Sequence, residues 1–447
     1  MKRILVLITL LFSSLGHAQE KSYAFTLEDA INYAMTNSYA IRLADLDIDA
    51  AEKKKWETTA IGLPQIDADG TYSNFLKQGV TLIPSEIFGG PPGEFEEVVF
   101  GTKQNLTGTV TLNQLLFDGS YLIGLQAAET YLKISSLSKD KTNQTVREAV
   151  INAYGQVLIS KENIRILENN RALLQKNLDE TKIIFQNGMT EEQDVEQQQI
   201  TLSNIENELN KAIRLESIAE QMFNLSLGIP IDSEVQFLDT IENIGLKSSD
   251  LALLSQDFDL KNHIDYKIAD NVVTTNELMV KYEKSRALPT LNAFLNYSVF
   301  ANNDNNIFFE NNGEWFDSSL LGVNLKIPIF SSLGRSARTQ QAKIELMQSQ
   351  ITLDETSQKL KLQVDTARNK YQFALDHYQT SKENLVLAES IARKEQIKFF
   401  EGLSSSFNLT NSQNQLFNSQ QNYLQSILNI IQSKVALENA LNNFSGY

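Results

Sequence analysis

The feature that most constrains this chain is a plan written twice. Leu63-Pro64-Gln65-Ile66-Asp67-Ala68 matches Leu288-Pro289-Thr290-Leu291-Asn292-Ala293, and Leu116-Phe117-Asp118-Gly119 matches Ile329-Phe330-Ser331-Ser332. Phe185-Gln186-Asn187-Gly188 matches Phe399-Phe400-Glu401-Gly402. The three pairs follow in the same order, 225, 213 and 214 residues apart counted from Pro64, Phe117 and Gly188. Internal repetition sets an architecture before any local propensity does. Each half reads as a helix, two strands, a very long helix, a glycine turn and a second helix. The halves span 19–230 and 262–447, with a connector over 231–261, and the first half carries a longer insert between its first two landmarks.

Only 7 prolines and 20 glycines are spread over 447 residues, so long uninterrupted elements are expected. Ser120 to Asn187 contains no proline, and Gly124 and Gly155 each cost a helix only about 1 kcal/mol. Helical spacing is visible in Val146, Val150, Ala153 and Val157, and again in Ile164, Leu167, Leu174 and Leu178. At 1.5 Å per residue this helix would be on the order of 100 Å long. Arg335 to Phe400 offers a second, with Ala367, Tyr371, Ala374 and Tyr378 on one face. Gly188 and Gly402 suit the left-handed position that ends each helix and lets the chain return over 191–227 and 405–442. Periodicity alone describes a curved helical wall and an ordinary periplasmic coiled coil equally well.

The N-terminus reads as a secretory signal over residues 1–18: Lys2 and Arg3 precede the apolar run Ile4 to Phe12, and Gly16-His17-Ala18 is a small-residue cleavage site. A run of nine residues, eight of them apolar, is too short to span a bilayer, which takes roughly 20 in a helix. With no cysteine, an exported chain has neither a disulfide framework nor a thiolate metal site nor an acyl-cysteine anchor. Losing Lys2 and Arg3 takes the formal charge from -16 to -18, which argues against nucleic acid or anionic head groups as partners.

Four segments alternate with period two. Ile66, Ala68 and Tyr72 oppose Asp67, Asp69, Thr71 and Ser73, and Leu106, Val110 and Leu112 oppose Thr107, Thr109, Thr111 and Asn113. Leu291, Ala293, Leu295, Tyr297 and Val299 oppose Asn292, Asn296 and Ser298, with Phe294 and Phe300 as exceptions on the polar face. In Leu320 to Ile329, Val323, Leu325, Ile327 and Ile329 oppose Asn324 and Lys326. Such segments are the signature of transmembrane barrel strands, and Tyr72, Phe75, Tyr297, Phe300, Trp315 and Phe316 stand near expected strand ends, where aromatic girdles belong. A bilayer forbids unpaired strand edges, so a spanning sheet must close. Four strands cannot close alone, and twelve strands from three copies leave room for passage where eight would be filled by side chains. The loops 77–103 and 302–317 are then expected outside the cell.

At these landmarks the sequence resembles the outer membrane efflux protein family, the TolC-like channels. The similarity includes Leu27-Glu28-Asp29-Ala30-Ile31-Asn32-Tyr33-Ala34, Leu63-Pro64, Leu116-Phe117-Asp118-Gly119, the turns at Gly188 and Gly402, and Leu227-Gly228-Ile229-Pro230. It implies an α+β, mainly helical fold: a homotrimer with a 12-stranded barrel in outer-membrane lipid, continued by a helical tunnel in the periplasm. It also implies a passive exit channel of a tripartite efflux or type I secretion system, docked to a periplasmic adaptor and an inner-membrane pump. In such channels the tunnel narrows near the helix turns. By position, Asp194 matches an acidic tip residue, Phe399 and Ser404 stand where gate-linking aromatic and basic residues are found, and Asn408 and Asn411 occupy places that carry aspartates in some members.

No catalytic motif accompanies these features. His263 and His377 lack any HExxH or other ligand spacing, and phosphate-loop, dinucleotide and nucleophile-elbow patterns are absent. Neither an enzyme, a metal site nor a cofactor is expected. The rival reading is a soluble periplasmic coiled-coil scaffold or adaptor. Cargo is not legible in the chain.

Overall fold

The computed structural model describes residues 23–305, 308 and 314–444, so the secretory signal lies outside the described residues. In chain order the elements are β1 (Tyr23–Phe25), α1 (Leu27–Asn37), α2 (Tyr39–Ala60), β2 (Gln65–Asn74), β3 (Val80–Pro84), β4 (Phe95–Val99) and β5 (Gln104–Asp118). There follow α3 (Gly119–Gln186), α4 (Glu192–Leu227), β6 (Val235–Phe237), α5 (Ile241–Lys247) and α6 (Ile264–Ser285). The chain continues through β7 (Thr290–Asn303), β8 (Trp315–Lys326), α7 (Gly334–Phe400) and α8 (Ser406–Leu441). It divides into two compact units.

The first unit, Asp49–Ile134 with Asn271–Ile351, holds a four-stranded antiparallel sheet in the order β2-β5-β7-β8. Its register sets Ala68, Val110, Tyr297 and Ser319 side by side, and sets Asp69 beside Thr109, Ser298 and Ser318. The two faces expected from the alternation therefore stay in phase across the sheet, because paired residues project to the same side. On the polar face the Thr109 and Ser298 hydroxyls share a hydrogen bond of 2.9 Å. The exceptions on that face have local reasons. Phe294 lies over Gly322, where an added Cβ would meet its ring at 2.3 Å, and Phe300 tilts against Phe316 at 5.7 Å between centroids. An aromatic ring laid across a strand glycine covers backbone that has no side chain of its own.

Some boundaries differ from the sequence reading. β8 ends at Lys326, so Ile327 and Ile329 fall beyond it; Pro328 has no N–H to give to a ladder. Tyr297 sits in mid-strand opposite Ser319 rather than near a strand end. Tyr72 and Trp315 do share the last rows of the sheet, where Phe308 packs edge-on against Tyr72. Within 77–103, read as a loop, β3 and β4 form a hairpin pairing Val80 with Val99 and Pro84 with Phe95.

Where β5 passes into α3, the Asp118 carboxylate accepts from the backbone N–H groups of Ser120 at 2.7 Å and Tyr121 at 3.3 Å. Those are orphan donors of a helix start. Leu288 packs over Gly119 so closely that a Cβ there would lie 2.5 Å from its side chain. Two of the sequence landmarks are thus in contact.

The second unit comprises the chain up to Ile48, Ser135–Asp270 and Thr352–Tyr447. β1 and β6 pair in parallel, and a large apolar cluster gathers Val150, Ile151, Tyr154 and Val157 of α3 with Val364, Ala367 and Tyr371 of α7 and Ile427, Ile431 and Val435 of α8. Two fully buried tyrosines tie this cluster to the backbone of neighbouring segments. The Tyr154 hydroxyl donates to the Phe25 carbonyl at 3.0 Å, and the Tyr371 hydroxyl donates to the Ser248 carbonyl at 2.7 Å while accepting from the Asp250 N–H at 2.8 Å. Burial raises the pKa of both phenols, that of Tyr371 to about 12. A charged triad is buried nearby: Arg147 meets Glu438 at 2.8 Å and Lys434 meets it at 3.6 Å, with the Lys434 ammonium also donating to the Lys247 carbonyl at 3.1 Å.

Candidate functional site

The candidate site lies at the two turns joining α3 to α4 and α7 to α8. Gly188 and Gly402 both have φ near +72°, the left-handed conformation expected of them. Each turn closes with the same pair of bonds. Gly188 N–H donates to the Phe185 carbonyl and Met189 N–H to the Ile184 carbonyl at 2.8 and 3.1 Å, while Gly402 and Leu403 donate to Phe399 and Lys398 at 3.0 and 2.8 Å. This pattern satisfies carbonyls that a helix end otherwise leaves open.

Asp194 stands in the first turn of α4 and does more than favour a helix start. One carboxylate oxygen accepts from the Glu191 N–H at 3.3 Å and from the Thr190 hydroxyl. The other accepts from the Ser406 hydroxyl at the start of α8, so Asp194 links the two turns. Burial alone would raise its pKa, but the hydrogen bonds from Ser406, Thr190 and Glu191 prevail and hold it below the usual carboxylate range.

Two of the other predicted residues, Ser404 and Asn408, form a second group. The Ser404 hydroxyl donates to Glu395, which Lys398 also approaches at 3.3 Å, and the Asn408 amide donates to the Ser404 oxygen at 3.2 Å. These contacts hold Glu395 below its ordinary pKa, chiefly through the Ser404 hydrogen bond. Phe399 is buried and packs edge-on against Phe400 at 5.3 Å, whereas Asn408 and Asn411 are exposed. The sequence reading missed Thr190, Ser406 and Glu395. The Ser405 hydroxyl caps the Asn408 N–H at 3.3 Å, a helix-start pattern that marks the beginning of α8 but singles out none of these three. The Asp194–Ser406 link had no signal, being 212 residues apart in sequence.

The turns present Met189, Leu403 and Phe407, each more than 70 % exposed. A groove of about 590 Å³ between the ends of α3 and α7 is floored by Ile183, Ile184, Ile397 and Phe400 and edged by Lys176, Glu180 and Glu401. Among the described residues no cluster of His, Asp and Glu could hold a metal ion, and no helix is long and apolar enough to cross a membrane.

The sequence profile of the outer membrane efflux protein family matches residues 30–228 and 277–443, taking in the four-stranded sheet, the long helices and both turns. The chain belongs to the outer membrane efflux protein family. This is a family of channels, and the chain is an exit channel of the outer membrane with a helical periplasmic tunnel. Over 456 residues it is 20% identical to outer membrane protein TolC of Vibrio cholerae, covering 100% of this chain and 96% of that one. It is 24% identical over 368 residues to the proteases secretion protein PrtF of Dickeya chrysanthemi, covering 79% of this chain and 74% of the relative. The solved CmeC outer membrane channel of Campylobacter jejuni superposes with a TM-score of 0.72 at 14% identity, over 93% of this chain and 85% of that one. That likeness is one of fold.

Proposed function

We propose that three copies close a twelve-stranded barrel and that this efflux-family channel serves as the passive outlet of a tripartite efflux or type I secretion system. The observation that carries the reading is the sheet β2-β5-β7-β8, whose edges β2 and β8 have no partner strand within the described chain. In hydrocarbon such edges must be paired, and a second copy supplies β8 to β2 and β2 to β8 without new elements. The duplication of landmarks fits a wall built from two similar halves per chain, 19–230 and 262–447, bridged by 231–261. The segment 77–103 and the connection between β7 and β8, which the sequence reading set at 302–317 but which the strands bound at Asn303 and Trp315, then face outward.

The periplasmic entrance, on this reading, lies at Gly188 and Gly402 and is narrowed by Asp194, Phe399, Ser404, Asn408 and Asn411, each repeated three times around the axis. A periplasmic adaptor finds an apolar groove with a charged rim between Ile183 and Phe400, and the adaptor couples the channel to an inner-membrane pump. Similarity to a proteases secretion protein keeps protein export open beside small-molecule efflux. Crosslinking of the washed outer-membrane fraction in detergent tests the assembly: a three-chain band is expected. A monomer released without detergent would overturn it and return the soluble scaffold reading.

A further inference from the structure

Three helices of the second unit each turn one anchoring side chain onto the connector over 231–261. The Tyr154 hydroxyl of α3 meets the Asp239 carboxylate at 3.1 Å, the Tyr371 hydroxyl of α7 donates to the Ser248 carbonyl at 2.7 Å, and the Lys434 ammonium of α8 donates to the Lys247 carbonyl at 3.1 Å. Two residues along an α-helix rotate the side-chain direction by about 200°. Asn152, Phe373 and Gln432 each stand two residues from one of those anchors, so they project from the opposite side of the same three helices. There they line a single groove of about 630 Å³.

The groove combines an aromatic pair with an uncharged polar rim. Phe373 is 68% exposed, and its ring lies 5.8 Å from that of His377, one helical turn on, with 22° between the planes. Asn152, Asn429, Gln432 and Ser433 set neutral donors and acceptors around the pair. The formal charges cancel: Glu148, which accepts from the Asn439 amide at 2.7 Å, is matched by Lys370. Two polar atoms of the lining residues, Asn152 Oδ1 and His377 Nδ1, are closed off from water without a hydrogen-bond partner, so both side chains gain by turning onto a bound molecule.

Such a lining discriminates by chemistry. A saturated apolar molecule would strip water from the amides and replace none of those bonds. An anion is opposed by Glu148 and a cation by Lys370. A flat ring system stacks on Phe373 while its N–H, O–H and carbonyl groups take over the bonds that the amides make to water. The volume lies within the roughly 300–1,000 Å³ of small-molecule sites.

We propose that this groove is a cargo station: an uncharged planar aromatic compound carrying hydrogen-bond donors and acceptors stacks on Phe373 and His377 and bonds to Asn152 and Gln432. In the three-chain assembly the side of the helices away from the connector lines the passage, so the station occurs three times around it and delays such a compound on its way out. Its place in the passage rests on the channel reading, whereas the binding itself does not.

The probe is umbelliferone, a flat fluorescent molecule with one hydroxyl and one ring carbonyl. Its fluorescence anisotropy is titrated with the full-length protein in detergent, against protein-free micelles. Saturable binding is expected, and Phe373→Leu, which keeps apolar volume but loses the stacking face, should weaken it roughly tenfold. Asn152→Ala combined with Gln432→Ala should weaken it as well and serves if Phe373→Leu does not fold. Binding that never saturates, or that a folded variant of either kind leaves unchanged, overturns the station. Displacement of the probe by the disaccharide cellobiose also overturns it, since the groove would then be a glycan site. Single-channel recording separates the two readings. Brief current interruptions by umbelliferone are expected, shortened in Phe373→Leu. Phe373-dependent binding by a protein that forms no pore overturns the channel reading and leaves the binding site standing, whereas pores that umbelliferone does not interrupt, or interrupts equally in both proteins, overturn the station alone.

Discussion

Removing the carboxylate that two buried cations share should be the most damaging conservative change in the helical unit. Glu438 is fully buried, meets Arg147 at 2.8 Å and Lys434 at 3.6 Å, and both cations are themselves at most 8% exposed. In Glu438→Gln the amide keeps the volume and loses the charge, so two desolvated cations face each other across a neutral group. Taking one partner from a buried ion pair typically costs about 3–5 kcal/mol. Lys434→Met is the control. Burial already pushes the Lys434 pKa below that of an ordinary lysine, despite Glu438, so its charge is held at a cost. Its loss leaves the shorter Arg147–Glu438 pair intact and should cost no more than about 1–2 kcal/mol. Denaturant unfolding followed by far-ultraviolet circular dichroism, with the protein in detergent, reads both. If Glu438→Gln costs no more than Lys434→Met, the triad does not carry the charge balance assigned to it.

Further outcomes follow from the same geometry. His263 is buried, its Nδ1 accepts from the Asp265 N–H at 3.1 Å, and burial, aided by Lys141 and opposed by Asp265, lowers its pKa below 6.5. The unfolded chain therefore binds the proton first, so stability present above pH 6.5 should fall as the pH drops toward the folded-state value, and His263→Asn should flatten that slope in unfolding curves across the window. Gly322→Val drives a side chain into the Phe294 ring and should weaken the three-chain crosslink expected of the assembly while leaving helical content unchanged by circular dichroism. With exposed asparagines at 408 and 411, conductance should show little divalent block, and Asn408→Asp with Asn411→Asp should increase both cation preference and block in planar bilayers. Unchanged selectivity in an assembled channel would remove these residues from the constriction.

What was legible in the sequence is what repeats locally. The return helices begin within a residue of expectation because Gly188 and Gly402 mark the turns, and Val150, Val157, Leu174 and Leu178 are buried as their spacing required. Strand faces were readable because period-two alternation survives pairing, as the shared rows of Ala68, Val110 and Tyr297 demonstrate. Contacts between distant segments were not. The β1–β6 pair spans three residues on each side, too few for a pattern, and the β3–β4 hairpin hides in a stretch whose prolines and glycines argue for a loop. Phe294 breaks the alternation of its strand, and its ring covers Gly322 on the neighbouring one, a relation that only register reveals. At the candidate site, Asp194, Ser404 and Asn408 are marked by position after the turn glycines, and the Asn408–Ser404 bond lies within one turn, but Asp194's partner Ser406 emerges only when the two turns are brought together.

The central claim, that this chain forms a passage through the outer membrane, is tested most directly by single-channel recording of the detergent-purified protein in planar bilayers. The account predicts discrete conductance steps of uniform size, and their reduction when a bulky maleimide is attached to Asn408→Cys from the side bearing the helix turns. A purified, folded protein that inserts no step at any concentration, or steps indifferent to that modification, would contradict it.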